Sequence, residues 1–208
     1  MDESASGWPL SLRLLHWASA AVVLAALGLG ATMVQLVHDP AARFELTQTH
    51  KSIGVAVLAL TAVRLCRRIL TAAPNPEPTG PLVRMAAKAT HIALYALLLL
   101  MPLSGWLMAT TTPVRVPTVV FGLFVLPYPL SPDLPTYVVA HALHVALAIL
   151  LAALIVLHIA AALVHALIWG DRTLVRMWWQ RRAAGPIVVT AGFEPATNDL
   201  IDRTAPLI

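Results

Sequence analysis

Cys66 is the only cysteine in the 208-residue chain, which excludes an intramolecular disulfide and a thiolate metal site. Set among arginines, it reads as a small apolar filler. Charge is scarce too. Only 12% of residues are Asp, Glu, Lys or Arg against 59% hydrophobic, a balance soluble domains seldom carry. No GxGxxG, P-loop or GxSxG arrangement occurs, so nucleotide-binding and hydrolase readings lose support. The long apolar runs hold no carboxylate, because Asp and Glu fall in loops or tails, and buried carboxylates are common in ion pathways. No internal repeat is evident, and no basic stretch is interleaved with aromatics. The pI near 9.8 therefore points to membrane topology, with no nucleic acid implied.

What the chain has is apolar length. Four stretches read as membrane-spanning helices, about 14–36, 50–70, 90–112 and 138–169. The second is short: its apolar part covers only 52–65, and it reaches span length when His50, Lys51 and the turn with Arg64 are counted. The fourth exceeds what a bilayer needs, so tilt or protrusion is expected. Asp2 and Glu3 lead the chain, and the first run continues past Gly30 without a clean stop, which fits a retained span better than a cleaved signal. In a four-span reading eleven basic residues, Arg64, Arg67 and Arg68 among them, flank or follow one side. Only Arg43, Lys51 and Arg115 lie on the other. The expected fold is therefore all-α, a transmembrane four-helix bundle with both termini cytoplasmic.

The connectors differ. Residues 71–83 hold Pro74, Pro76, Pro78 and Pro81 and read as an extended, helix-free link. The segment 110–137 is rich in proline and in apolar residues such as Phe121, Phe124 and Tyr128; it is expected to lie on the membrane face and cover something. Residues 1–182 then form one domain. The tail 183–208 has no helical periodicity and reads as disordered.

Histidines carry the chemistry. His144 and His158 stand 14 residues apart in one apolar run, and at about 100° per residue both rings fall on roughly one helix face. With about 1.5 Å of rise per residue they are separated by roughly 21 Å, within a hydrocarbon core of about 30 Å. Two stacked sites result, each needing a second ligand from another helix. The direction of each span puts His16 and His158 toward the cytoplasmic side and His50 and His144 toward the outside, so depth alone pairs them. A lone intramembrane histidine is often a packing residue, but four at matched depths argue against coincidence. His165 could replace His158, at the cost of stretching the site separation to roughly 31 Å, so His158 is preferred. His165 and His91 become polar groups near the inner interface, structural or quinone-adjacent, and His38 is solvated. His141 is off the His158 face.

Two imidazoles per site suit bis-histidine ligation of haem iron, which leaves no open position for a substrate and favours electron transfer. Arg64 follows His50 by 14 residues and so lies at the inner level, where a guanidinium can meet a haem propionate, or serve as an ordinary flanking base. Lys51 offers the same contact outside. Gly54 and Gly105 would permit close approach of a macrocycle, or close helix packing.

These segments resemble the bacterial di-haem cytochrome b561 family of four-helix membrane proteins. The likeness rests on Arg13 with LLHW at 14–17, THKSIG at 49–54 and RLCRR at 64–68. It continues through THIALY at 90–95, PLSGWLM at 102–108, and the His144 to His158 spacing followed by GDRTLVRMW. The resemblance implies two haem b groups, the inner held by His16 and His158 and the outer by His50 and His144. It further implies electron exchange with quinone, ubiquinone being the expected acceptor, and in some members a superoxide oxidase activity. Membrane lipid, quinone and a superoxide or redox-protein donor are the partners it suggests. Two alternatives stand beside it: a cytochrome b subunit anchoring a hydrogenase or other dehydrogenase, and a haem-free metal or proton transporter.

Overall fold

The computed structural model describes residues 7–72 and 79–178. Four helices account for most of them: α1 (Leu10–Gln35), α2 (Pro40–Ile69), α3 (Pro81–Thr111) and α4 (Leu134–Leu167). Starts are set by local chemistry. Asp39 and Asp133 each cap a helix, accepting the Ala42 N–H at 2.7 Å and the Thr136 N–H at 2.9 Å, and proline occupies the first turn of α2, α3 and α4, where its missing N–H costs nothing. Thus α3 begins at Pro81, inside the link expected to be helix-free, while Pro74, Pro76 and Pro78 lie outside the described residues. The tail 183–208 also lies outside them.

α1, α3 and α4 are long and apolar enough to cross a membrane. α2 has the length but not the composition, since it carries Arg43, Glu45, Lys51, Arg64, Arg67 and Arg68. Its start at Pro40 also makes Glu45 helical rather than a loop residue, though exposed. Outward surfaces are largely apolar, with Leu24, Val63, Leu100, Ile149, Leu150 and Val156 all exposed, as lipid-facing helices require.

Close packing runs α1 on α2, α2 on α3 and α3 on α4. α4 approaches neither α1 nor α2 comparably closely. The core is one layer at mid-height, with Val23, Val57, Leu97, Leu98 and Leu151 buried. Pro102 stands inside α3 and cannot donate to the Leu98 carbonyl.

The all-α expectation needs one amendment. In the α3–α4 loop a two-stranded antiparallel hairpin forms, β1 (Thr118–Val120) with β2 (Phe124–Leu126). Its turn puts Phe121 at φ 47° and Gly122 at φ 74°, and Phe121 is the unusual one, because a side chain there costs about 1–2 kcal/mol. The strain is held by α2: Ser52 Oγ accepts the Phe121 N–H at 3.1 Å. Gln48 Nε2 donates to the Pro117 carbonyl at 3.1 Å, and Trp106 Nε1 on α3 donates to the Pro127 carbonyl at 3.0 Å. The loop is therefore a fixed cap over the end of the bundle that holds His50. Replacing Ser52 by Ala leaves the Phe121 N–H unpaired at a strained position and should lower stability by about 1–3 kcal/mol; cleavage of the 118–126 hairpin by added protease should rise, and an unchanged cleavage rate would show that the hairpin holds without this bond.

Candidate functional site

His16 on α1 and His158 on α4 stand with ring centroids 6.4 Å apart and planes at 82°. His50 on α2 and His144 on α4 repeat the arrangement at 6.3 Å and 84°. Both pairs bridge the helix boundaries where the backbones stay apart. A metal–imidazole bond is about 2.0–2.1 Å and a ring centroid lies about 1.1 Å beyond the nitrogen, so two imidazoles on opposite sides of one ion have centroids roughly 6.3 Å apart. The donor set therefore fits an ion held between each pair. Nδ1 of His16 and of His50 are buried without a hydrogen-bond partner, which is costly for a group with no use. Each ring needs one nitrogen free for the ion and gains from the other being fixed. For His144 that fixing is present: Ser104 Oγ donates to the Met101 carbonyl at 2.8 Å and lies 2.9 Å from His144 Nδ1. With its proton on Met101, the hydroxyl accepts Nδ1–H and leaves Nε2 bare.

Glycines seat the rings of His144 and His50. A Cβ at Gly105 would stand 2.9 Å from His144 Cε1, and one at Gly30 would stand 3.2 Å from His50 Cε1. Gly105 thus makes room for an imidazole rather than directly for a macrocycle. Gly54 meets nothing within 4 Å, and Gly30 was not singled out from the sequence. The signal for it was present, since the 14-residue step recurs on every helix: His16 to Gly30, His50 to Arg64, His91 to Gly105 and His144 to His158. The midpoints of those four steps, Val23, Val57, Leu98 and Leu151, are all buried in the core layer.

The level of His16 and His158 gathers more than the expected pair. His91 has its ring centroid 5.6 Å from that of His158, nearer than His16, although the residue is exposed. Arg64 lies within Coulombic reach of His16, His91 and His158, its guanidinium 5.4 Å from the Tyr95 ring centre. Lys51, half-buried beside His50, has no hydrogen-bond or ion-pair partner among the described residues. His165 stands elsewhere. Its Nδ1 bonds the Asp171 carboxylate and its ring meets Trp169 edge-on at 4.5 Å, so it fastens the segment after α4. His38 and His141 are exposed. No group of three or more His, Cys, Asp or Glu among the described residues is arranged to hold a bare metal ion.

A family model described as prokaryotic cytochrome b561 matches residues 7–180. The chain belongs to the prokaryotic cytochrome b561 family. Cytochrome b561 homolog 2 of Escherichia coli (strain K12) is 37% identical to it over 163 residues, covering 78% of this chain and 86% of that protein. Membership of the cytochrome b561 family makes this a multi-pass, haem b-binding membrane protein of electron transport, and the paired imidazoles are donors of the kind such a cofactor takes.

Gly105→Ala should push the His144 ring off its seat and lower the haem content of the purified protein, with the milder 3.2 Å contact at Gly30 making Gly30→Ala the weaker change; equal haem in wild type and Gly105→Ala would show that the ring has room to move. A second expectation concerns Asp171. Burial raises its pKa, but hydrogen bonds from His165 and Thr173, with the charge of His165, hold it on balance below the ordinary value of 3.8. A depressed carboxyl stabilises above the unfolded value and loses that contribution as pH falls through the folded one. Tryptophan fluorescence from the segment after α4 should accordingly stay level down to about 4 and change only in stronger acid.

Proposed function

We propose that this chain is a di-haem b cytochrome that passes single electrons between a donor at one face of the membrane and a quinone, ubiquinone being the exchangeable acceptor. One haem belongs between His16 and His158 and the other between His50 and His144. The observation that carries the reading is the pair of matched imidazole separations, 6.4 Å and 6.3 Å, set 14 residues apart on α4. Haem iron held by these imidazole pairs would supply reversible one-electron storage and leave no position open to substrate.

The chain's own residues do the remainder. Ser104 fixes the His144 tautomer. Arg64 offers a guanidinium to an inner propionate and Lys51 an ammonium to an outer one, each lowering the cost of burying a carboxylate. Val23, Val57, Leu98 and Leu151 fill the level between the two sites and exclude water from it. The hairpin closes the His50 end against bulk solvent.

α2 completes the bundle as a fourth span, because it packs between α1 and α3 and its polar residues reach the site or the two interfaces. Both termini then share one side, which the distribution of bases makes cytoplasmic in a bacterial inner membrane. Residues 1–182 form the cytochrome domain and 183–208 a tail. Superoxide is the sharper form of the donor. The described residues at the His50 end carry Arg43, Lys51 and Arg115 against Asp39, Glu45 and Asp133, so no long-range field selects an anion, and this version rests on Lys51 beside the site.

A pyridine haemochrome assay on detergent-purified protein should give two b-type haems per chain; none, after expression with ample haem, would refute the reading. His158→Ala should lose one haem and keep the outer one, whereas His165→Ala should keep both. The opposite result would move the inner ligand to His165. Fed superoxide, the wild-type protein should reduce ubiquinone above background and Lys51→Gln should do so several-fold more slowly; a wild-type rate at background would exclude superoxide.

A further inference from the structure

The His16 end of the bundle is built around arginine and tryptophan rather than around ion pairs. Arg68 of α2 stacks on Trp8, its guanidinium carbon 4.6 Å from the ring centre. Arg67 donates to Ser11 Oγ of α1 at 3.2 Å. Arg13 Nη1 donates to the Trp178 carbonyl at 2.7 Å, and Trp17 Nε1 to the Met177 carbonyl at 2.8 Å, with the Trp17 and Trp178 rings edge-on at 5.4 Å. The Trp8 N–H reaches the Arg176 carbonyl at 3.4 Å. Three pieces of chain are thereby gathered: the start of α1, the end of α2 and the short 3-10 helix Val175–Met177.

Three guanidinium side chains, those of Arg13, Arg67 and Arg68, belong to this junction. The carboxylate described near it, Asp171, is engaged by His165, and Arg13, Arg67 and Arg68 pair with no carboxylate among the described residues. Moreover Arg13 Nε is buried and has no acceptor. Beside it the apolar side chains of Leu10, Leu14 and Trp178 are exposed. A donor without an acceptor, stacked and tethered cations, and an adjoining exposed apolar surface together match one chemistry: a phosphate with acyl chain attached.

We propose that this junction is a binding site for the headgroup of an anionic phospholipid, its phosphodiester taken by Arg13, Arg67 and Arg68 and the first part of an acyl chain lying along Leu10, Leu14 and Trp178. Guanidinium suits the purpose, as it presents several donors to phosphate oxygens and stacks on indole. Indole rings belong at this depth of a bilayer. A general attraction of bases to anionic lipid would need none of these tethers; the tethers hold the charges at one place, which makes a site. Because Trp17 follows His16, with ring centroids 5.2 Å apart, an occupant also braces the helix end that carries that imidazole.

The test is native mass spectrometry of the full chain in detergent with phosphatidylglycerol, and separately with phosphatidylcholine of the same acyl chains. Phosphatidylglycerol should stay bound under conditions that strip phosphatidylcholine, and Arg68→Gln should lower its retention roughly fivefold, the effect of one guanidinium near an anionic lipid. Arg67→Gln, which gives up a single bond to the Ser11 hydroxyl, should do the same without loss of helicity and decides the matter should Arg68→Gln fold poorly. Arg43→Gln and Arg115→Gln, at the other end, should change nothing. Equal retention of the two lipids, or undiminished retention in Arg67→Gln, would overturn the proposal. Displacement by excess inorganic phosphate would overturn it as well, since the ligand would then be a free anion.

Discussion

A helix in lipid can afford few polar positions, and this bundle places them at two depths by one repeated step. Fourteen residues make nearly four turns, so a residue and its fourteenth successor share a face while differing by roughly 21 Å in height. All four helices use the step, and its partners are histidine, arginine or glycine. Halfway along each, an aliphatic residue is buried. Everything else in the architecture follows from keeping those four registers aligned: two polar levels, one apolar layer between, and boundaries between helices wide enough to leave room at the polar levels.

The unequal packing of α4 belongs to the same constraint. α4 leans on α3, and its His144 and His158 face rings on α2 and α1 across boundaries that the backbones do not close. Had α4 packed tightly on all sides, the facing imidazoles would have met in direct contact. Gly30 and Gly105 work in the opposite direction, letting a helix backbone come close where an imidazole stands against it. Small residues in membrane bundles usually serve helix approach; here the neighbour is a ring.

The two ends of the bundle are finished differently. At the His50 end the covering hairpin is held by side-chain bonds from α2 and α3, and its strained turn residue depends on one hydroxyl. At the His16 end, arginines and indoles tie α1, α2 and the last 3-10 turn together. The first is a lid of hydrogen-bonded backbone, the second a ring of cations. Both fit the solvent each meets, since backbone must be satisfied near lipid whereas guanidinium and indole are at home where headgroups begin.

By itself the sequence determined three long apolar helices, a fourth with a shorter apolar stretch, and the polar positions on each, because composition and the helical period act locally. That was enough to set His16 opposite His158 and His50 opposite His144, and to separate His165 from them on length alone. It also carried the 14-residue step in α1 and α3, unnoticed because glycine signals nothing until its neighbour is known. Tertiary structure alone decided that His91 comes to 5.6 Å from His158, that Asp171 claims His165, and that Gly105 serves His144 rather than a macrocycle directly. The first and third depend on how one helix is rotated against another, which is fixed by packing between residues far apart in the chain, while the second is a contact across six residues at the end of α4. The hairpin was hidden for a related reason: its turn is stable only when Ser52, almost seventy residues earlier, supplies the acceptor that its own sequence lacks.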